Sequence, residues 1–473
     1  MRRGSEGSGS DGGWAHAWDI VRRAFDEFLG LPSCIIAGFL LLAATTFWLD
    51  RARPLWLEPL RQVLEGFLSN SKATASLLST IAGSLITVTS ITISLLLVAV
   101  QQSAGTMTSQ VFDQFLRRRH NQFHFGFFVG LSVFALVTLG SVDEGFNPVL
   151  GASVTFVLTV IALFLLIVLL YATIDQMRPV KIIETIHDYA LRARPRLLSL
   201  QRHTVAASRG SRGQPHSVSA ERHGFVTDID VDRLRACLGP DAAGVEIVLC
   251  VSIGSYVAYG DVLARFDGAD AEQADVLGSS IVRAVRLERQ RNIVVDPAYA
   301  IAQLETIAWT SISSSKSDPA PGILTIESLR DLLARWSAEE REPHRRAESG
   351  VAIVYADTTL PRLMDAFETL AVAASESMQH QSLVAVLVAL STLFDRLPPD
   401  LARRAEDVVL RVLSSLGDHV CTAPLDNALG SLVSAFREAG REVTAAAVER
   451  ARRQLELTIG RLGSRSTRGD TRA

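Results

Sequence analysis

Long apolar stretches separated by short polar segments fill the first third of the chain, and polar sequence with helical periodicity follows. The apolar stretches cover residues 33–49, 77–100, 122–142 and 149–172. Each has about the length that crosses a hydrocarbon core of roughly 30 Å at about 1.5 Å per helical residue. The pattern predicts an α-helical membrane domain of four transmembrane helices over residues 31–175.

The polar segment between the first two stretches has a helical pattern of its own. Its apolar residues lie three or four positions apart, with two tryptophans nearby: Leu60, Val63, Leu64, Phe67 and Leu68, with Trp48 and Trp56. A short helix with one apolar face can lie in the membrane interface, or it can pack against the spans. The sequence leaves both arrangements open.

The second stretch differs from the others because small and hydroxyl-bearing residues recur along it. These residues, which we call the polar stripe, are Thr80, Gly83, Thr87, Ser90, Ser94 and Gln101. Their spacing places them on one face of a helix. Such a face can pack closely against another helix, and serine and threonine can bond their own backbone. In a ring of subunits the same face could instead line a narrow polar path.

The rest of the chain predicts a cytosolic α+β domain that is mainly helical and contains a small β module. We expect an exit helix at 176–200, a linker at 201–222, the β module at 223–268, helices over 269–460 and a disordered tail at 461–473. Strands are predicted at 225–229, 245–251 and 262–266, with a further candidate at 351–355. The region 425–455 reads as one long helix.

The distribution of charge predicts the orientation. Arg117, Arg118 and Arg119 form a basic triplet at the membrane edge, whereas the loop 143–148 has no basic residue. Positive residues favour the cytoplasmic side, so both termini are expected inside. Arginine is abundant, whereas lysine occurs only at Lys72, Lys181 and Lys316, a bias typical of a GC-rich bacterial genome, so we expect the inner membrane of a bacterium. Residues 1–30 read as a disordered polar tail rather than a cleavable signal peptide. The formal net charge of −3 argues against nucleic-acid binding.

A hydroxyl-rich segment ending in Asp-Pro gives one candidate ligand site. Ser313 and Asp318 lie in this segment, and Arg289 and Asp296 lie just upstream. Hydroxyls with an arginine can bind a phosphate-like anion, because the guanidinium group is suited to phosphate. Serine and aspartate before proline also begin turns and cap helices, and that alternative remains open.

The sequence carries no P-loop, G-x-S-x-G or H-E-x-x-H pattern, and its four cysteines lie far apart. We therefore predict no catalytic residue, metal or cofactor, and no enzymatic activity.

Three segments resemble domain of unknown function 2254, a family of bacterial predicted membrane proteins. They are Ser79-Thr-Ile-Ala-Gly-Ser84, Gly254-Ser-Tyr-Val-Ala-Tyr-Gly260, and Asp296-Pro297-Ala298 with the residues up to Pro319. The resemblance implies a glycine-bracketed hairpin of barrel-sandwich type, similar to lipoyl-like domains. No lysine lies between Lys181 and Lys316, so the hairpin cannot carry biotin or lipoate. The chain departs from the family pattern at Ser109-Gln110, Asp175-Gln176 and Ser313-Ser314.

Two functions fit this sequence. The first is an oligomeric channel-like or transport-related protein whose cytosolic domain regulates it. The second is a membrane-anchored sensor or scaffold whose spans only anchor and oligomerise. The expected partners are the lipid bilayer and further copies of the chain; the sequence identifies no soluble partner or ligand.

Overall fold

The computed structural model describes residues 29–68, 70–106, 119–176, 178–205, 216–238, 245–267, 271–314, 317–340, 352–416 and 419–457. The chain divides into two compact units, Met1–Arg178 and Pro179–Ala473, which we call the membrane unit and the C-terminal unit. The predicted tails, apart from residues 29 and 30, lie outside the described residues. So do Arg117, Arg118 and residues 206–215 of the predicted linker.

Helices make up most of the described part of the membrane unit. Its helices are α1 (Gly30–Ala52), α2 (Glu58–Phe67, after a 3-10 turn Leu55–Leu57), α3 (Ser71–Thr106), α4 (Arg119–Gly140) and α5 (Val149–Gln176). By length and composition, α1, α3, α4 and α5 can each cross a membrane. The prediction of four spans is confirmed.

Helix α4 forms the centre of the membrane unit and packs against α1, α3 and α5. Leu131 and Phe134 of α4 are fully buried, and Phe39 of α1 meets Phe127 edge to face with ring centroids 5.5 Å apart. A Cβ on Gly130 would lie 2.3 Å from Cδ2 of Phe39. Glycine at this position therefore allows α1 and α4 to approach closely.

Polar contacts join the helix ends on one side of this unit. The carboxylate of Asp50, near the end of α1, accepts the backbone N–H groups of Leu150 and Gly151 at distances of 3.1 and 3.0 Å. Asn147 donates its side-chain amide to the carbonyl of Leu68. These bonds satisfy donors and acceptors that the helix ends leave without intrahelical partners.

The C-terminal unit begins with α6 (Pro179–Arg202), where the exit helix was expected. Its apolar face, which includes Ile183, Ile186 and Leu197, is buried and packs against α9 (Pro297–Ile312) and α10 (Ala320–Glu340). This helix is thus part of the core of the C-terminal unit.

Within the described residues, seven strands form two small sheets. The strands are β1 (His216–Ser219), β2 (Gly224–Ile229), β3 (Glu246–Leu249), β4 (Tyr256–Val257), β5 (Val262–Asp267), β6 (Val285–Glu288) and β7 (Ala352–Val354). One sheet has the order β1-β5-β3-β7 and the other β4-β2-β6. Neighbouring strands are antiparallel except β3 and β7, which run parallel. Helices α7 (Val231–Leu238) and α8 (Ala271–Ala284) lie between strands in the sequence.

Two predictions for this region are wrong. His216–Ser219 was expected in the linker, but it pairs with β5, with His216 opposite Phe266. Val285–Glu288 was expected within helical sequence, but it pairs with β2. The predicted β module therefore draws strands from both sides of residues 223–268, and the candidate strand at 351–355 is confirmed as β7.

The remaining helices are α11 (Thr359–Glu376), α12 (His380–Leu393), α13 (Pro399–Leu413), α14 (Ala423–Glu438) and α15 (Glu442–Glu456). The single helix predicted over 425–455 is wrong, because the chain turns at Gly440, which has φ +72°. Glycine adopts this left-handed conformation without strain and commonly ends a helix. Helices α14 and α15 then pack against each other.

Candidate functional site

The polar stripe lies on the outer surface of α3 in the single chain. The buried side of α3 carries Leu78, Ile81, Ala82 and Leu85. At about 100° per residue, the centre of the stripe is about 170° away from this side. Its members are all exposed: Thr80, Gly83, Thr87, Ser90, Ser94 and Gln101. The other three spans of the same chain therefore leave the stripe uncovered.

Three hydroxyls of the stripe are bonded within their own helix. Thr80 donates to the carbonyl of Ser76, Thr87 to that of Gly83, and Ser94 to that of Ser90, at 2.8, 2.8 and 2.9 Å. The hydroxyl proton is thereby satisfied, while the oxygen lone pairs still face outward. A Cβ on Gly83 would meet no heavy atom within 4 Å. The stripe is a shallow, weakly polar surface with space in front of it.

Helix α3 is longer than a membrane is thick. Its 36 residues correspond to about 54 Å, against a hydrocarbon core of about 30 Å. The segment suited to cross the membrane is Ser71–Ser94, so Gln101 lies beyond it. Of the predicted basic triplet, Arg119 is described: it is the first residue of α4 and is exposed.

The predicted anion site is not assembled. Asp296 precedes the first residue of α9 and Ser313 follows its last residue. The 16 residues of this helix separate them by about 24 Å. Asp318 is exposed and caps α10 through the N–H of Ala320. Arg289 is exposed directly after β6. The four residues are therefore not one site, because a rigid helix lies between them.

Asp296 instead belongs to a buried junction. Its side chain is 2% exposed and accepts hydrogen bonds from Nε of Arg291 at 2.8 Å and from the N–H of Tyr299 at 2.9 Å. The guanidinium group of Arg291 lies 4.7 Å from the ring centroid of Tyr299. Gly254, with φ +87°, lies against the carboxylate. Arg291, two residues after the predicted Arg289, is thus the partner of Asp296.

The Gly254 turn is held from a second direction by Tyr355. The hydroxyl oxygen of Tyr355 accepts the N–H of Ile253 at 3.3 Å. Burial raises the pKa of this hydroxyl; the bond from Ile253 opposes the rise, and the carboxylates of Asp357 and Asp296 add to it. Tyr355 therefore stays neutral, and the junction serves to hold the turn.

A second buried cluster, which was not predicted from the sequence, joins α6 to the rest of the C-terminal unit. Arg194, with 4% of its side chain exposed, donates to Glu339 at 3.0 Å and to Asp357 at 2.8 Å. Its guanidinium group lies 5.1 Å from the ring centroid of Trp336. The sequence does contain an indication that Arg194 is buried, because Arg194 lies four residues after the buried Ala190, within the apolar stripe of α6.

Four membrane-crossing helices followed by a mixed, mainly helical unit define an α-helical integral membrane protein. The chain belongs to the family of predicted membrane proteins DUF2254, whose profile matches residues 26–390. The resemblance inferred from the sequence is confirmed, and α13 to α15 lie beyond the matched region. No curated protein matches the chain, and neither does any solved structure.

Proposed function

We propose that several copies of the chain assemble in the membrane, with their α3 helices meeting along the polar stripe to line a narrow polar path. The protein would then act as a channel-like or transport-related protein, and the C-terminal unit would regulate it. Catalytic chemistry is not part of this proposal.

The single observation that carries the proposal is the exposure of the whole stripe in one chain. Lipid tails offer no hydrogen-bonding partner to outward-facing hydroxyl oxygens. In an assembly, neighbouring copies would instead surround these hydroxyl oxygens with another helix or with water held between helices. Small residues such as Gly83 and Ser90 also let helix backbones approach closely.

The proposed regulation rests on the chain connection after the fourth span. Helix α5 ends at Gln176 and α6 begins at Pro179, so two residues join them. Helix α6 is fixed within the C-terminal unit by its apolar face and Arg194, and by His187, which lies 2.9 Å from Asp331. A rearrangement of the C-terminal unit would move the start of α6 and pull on α5.

The second candidate is a membrane-anchored sensor or scaffold. It is favoured by the hydroxyl bonds of Thr80, Thr87 and Ser94 to their own helix, which reduce their need for water or ions. In this case the stripe would be a packing surface between copies and no path would form.

Flux measurements separate the two candidates. Purified protein in liposomes should pass small ions, and Ser90→Leu or Ser94→Leu should reduce the flux several-fold, because leucine narrows the path and removes a hydroxyl. Thr45→Leu is the matched control: Thr45 is an exposed hydroxyl on α1 that bonds the carbonyl of Leu41, and its loss should leave the flux unchanged. An absence of flux for monovalent, divalent and anionic species alike would favour the scaffold.

We also propose that the protein lies in the inner membrane of a bacterium, with both termini in the cytoplasm. In a cysteine-free background, a cysteine at Gly145 should react with an impermeant thiol reagent added to intact cells, and one at Gln114 should not. Labelling in the reverse pattern would invert the orientation.

A further inference from the structure

The segment between the first two spans exposes large apolar side chains. Leu55 is 91% exposed, Trp56 74%, Leu60 51% and Val63 63%. These residues belong to the 3-10 turn before α2 and to α2 itself. Four such side chains within nine positions are unusual for a surface that faces water.

Helix α2 has three distinct sides. Leu57, Arg61 and Leu64 are half-buried; Leu64 packs on a cluster that includes the buried Leu78 and Val149. Leu60 and Val63 lie on the neighbouring side, about 40° and 100° around the helix from Leu64. The far side is polar and exposed, and it carries Glu58, Gln62 and Glu65. Around the helix, the side that packs on the rest of the protein is followed by an exposed apolar side and then by an exposed polar side.

This order is the one expected for a helix lying at a membrane surface beside a bundle of spans. One side contacts the bundle, the next faces the acyl chains and the last faces water. The end of α1 that precedes the turn in the chain also exposes large apolar side chains, since Phe47 and Trp48 are 40% and 65% exposed. Because α1 crosses the membrane, this end of it already contacts the bilayer.

The charged residues around the turn fit the headgroup layer. Arg51 and Arg53 are exposed directly before the turn; tryptophan is enriched at this depth, and arginine side chains near the ends of spans extend to the headgroup layer. Arg61 is occupied within the protein, by Glu65 at 2.8 Å and by the carbonyl of Asp50 at 3.4 Å. The two exposed arginines can therefore meet lipid phosphates, which guanidinium groups bind well.

We propose that α2 and the turn before it form a lipid-surface element that binds the phospholipid headgroup layer at the end of the first span. Leu55, Trp56, Leu60 and Val63 insert at the boundary of the acyl chains, and the polar side of α2 remains in water. The element packs on the spans with one side and binds the membrane interface with another. The two arrangements that the sequence left open, packing on the spans and lying in the interface, are therefore both present. This inference does not depend on the proposed path.

Spin labels on α2 test the proposal in the full-length protein. Single cysteines replace Leu60, Gln62, Val63 and Glu65 in a background in which Cys34, Cys237, Cys250 and Cys421 are serine. The protein is reconstituted in vesicles of phosphatidylethanolamine and phosphatidylglycerol. Labels at Leu60 and Val63 should be relaxed several-fold more by oxygen, which concentrates in lipid, than by a water-soluble nickel chelate. Labels at Gln62 and Glu65 should show the opposite preference.

The pattern across the four positions decides the outcome. Equal preference for the nickel chelate at all four would place α2 in water and overturn the proposal. Protection of Leu60 and Val63 from both reagents would mean that a second copy of the chain covers this face, which overturns it as well.

A second measurement leaves α2 and the native cysteines unchanged. Phospholipids brominated near the headgroup end of their acyl chains should quench the fluorescence of the parent protein more than that of Trp56→Phe. The other tryptophans, among them Trp48 at the end of the first span and the buried Trp336, are the same in both proteins, so the difference in quenching reports Trp56. Equal fractional quenching of the two proteins would overturn the proposal even if a spin-labelled variant failed to fold.

Discussion

Gly254 lies directly against the carboxylate of Asp296: a Cβ on Gly254 would be 2.4 Å from Oδ2 of Asp296 and 2.7 Å from Nη2 of Arg291. The φ of Gly254 is also +87°, a conformation that other residues rarely adopt. Two separate constraints, backbone conformation and close approach, therefore require glycine here. The turn of the β module and the beginning of α9 are held together at this point.

Gly254→Ala should destabilise the C-terminal unit because both constraints are violated. The backbone conformation alone costs about 1–2 kcal/mol for a residue with a Cβ, and displacing the buried Asp296–Arg291 pair adds to that cost. Gly260→Ala is the matched control, since Gly260 has φ +86° but nothing within 4 Å of its Cβ position. In thermal unfolding of the full chain, Gly254→Ala should lower Tm clearly more than Gly260→Ala. Equal shifts would mean that the contact with Asp296 has no energetic weight.

Arg194→Met should be strongly destabilising. Removing the guanidinium group deprives Asp357, whose side chain is 13% exposed, and the more exposed Glu339 of their buried partner. Breaking a fully buried pair typically costs about 3–5 kcal/mol, and the exposure of Glu339 places the cost here towards the lower end. Arg192→Ala is the control on the same helix: its side chain is 73% exposed and lies 3.8 Å from Asp188, so the change should stay within about 0.5 kcal/mol. Thermal unfolding of both variants checks the contrast, and similar Tm values would contradict the assigned role of Arg194.

The membrane part of the fold could be predicted well because its signal is local. Each span requires about 20 consecutive apolar residues, and the polar stripe follows from helical spacing alone. The β module was harder, since strand pairing joins distant residues. β7 pairs with β3 although about 100 residues separate Ile353 from Ile247. Neither β1 nor β6 contains a signal within its own four residues that distinguishes it from linker or helix.

The candidate ligand site failed for a different reason. Asp296 and Ser313 were grouped because they are near each other in sequence. In the structure they lie at opposite ends of a straight helix, about 24 Å apart. The arginine that binds Asp296 is Arg291, two residues after Arg289, and side-chain direction in a short connecting segment cannot be read from spacing. By contrast, Gly254 could be recognised as a turn residue, although its contact with Asp296 could not.

The ion pair between Asp426 and Arg452 should make stability depend on pH. Arg452 donates to both carboxylate oxygens of Asp426, at 2.5 and 2.8 Å, and joins α14 to α15. The hydrogen bond from Arg452 lowers the pKa of Asp426, and the smaller effect of burial opposes it. A lowered pKa in the folded state means that the pair stabilises above the ordinary carboxyl pKa of about 4 and loses its effect as the pH falls below it.

Asp426→Asn should therefore lower Tm at pH 7, and the difference from the parent should shrink as the pH falls from about 5 towards 3. The side chains of the pair are 28% and 33% exposed, so we expect about 1 kcal/mol or less. Asp400→Asn serves as the control because its carboxylate is 87% exposed. A difference that stays constant with pH would show that the effect of Asp426 is not electrostatic.

Asp50→Ala should destabilise the membrane unit. The carboxylate of Asp50 accepts two N–H groups at the beginning of α5, and losing a side-chain cap of this kind costs about 0.5–2 kcal/mol. Asp50→Asn keeps one acceptor oxygen and should retain part of the stability. Asp143→Ala, which removes an exposed carboxylate bonded to the neighbouring N–H of Glu144, should have little effect. Thermal aggregation in detergent, followed by gel filtration, ranks the three variants, and the reverse order would contradict this role for Asp50.

Gly83→Leu should weaken association between copies without disturbing the single chain. A Cβ on Gly83 would meet nothing within 4 Å, so leucine fits on the surface of an isolated α3. If the polar stripes of neighbouring copies pack together, the larger side chain holds their helices apart and reduces the close contact on which association in lipid depends. Gly130→Ala is the contrasting variant, because a Cβ at this position would lie 2.3 Å from Phe39 of the same chain. This substitution should lower the thermal stability of the single chain. The mass of each detergent-solubilised protein, measured by light scattering, should fall for Gly83→Leu at unchanged Tm. An unchanged mass for Gly83→Leu would show that copies of the chain do not pack closely on this face of α3.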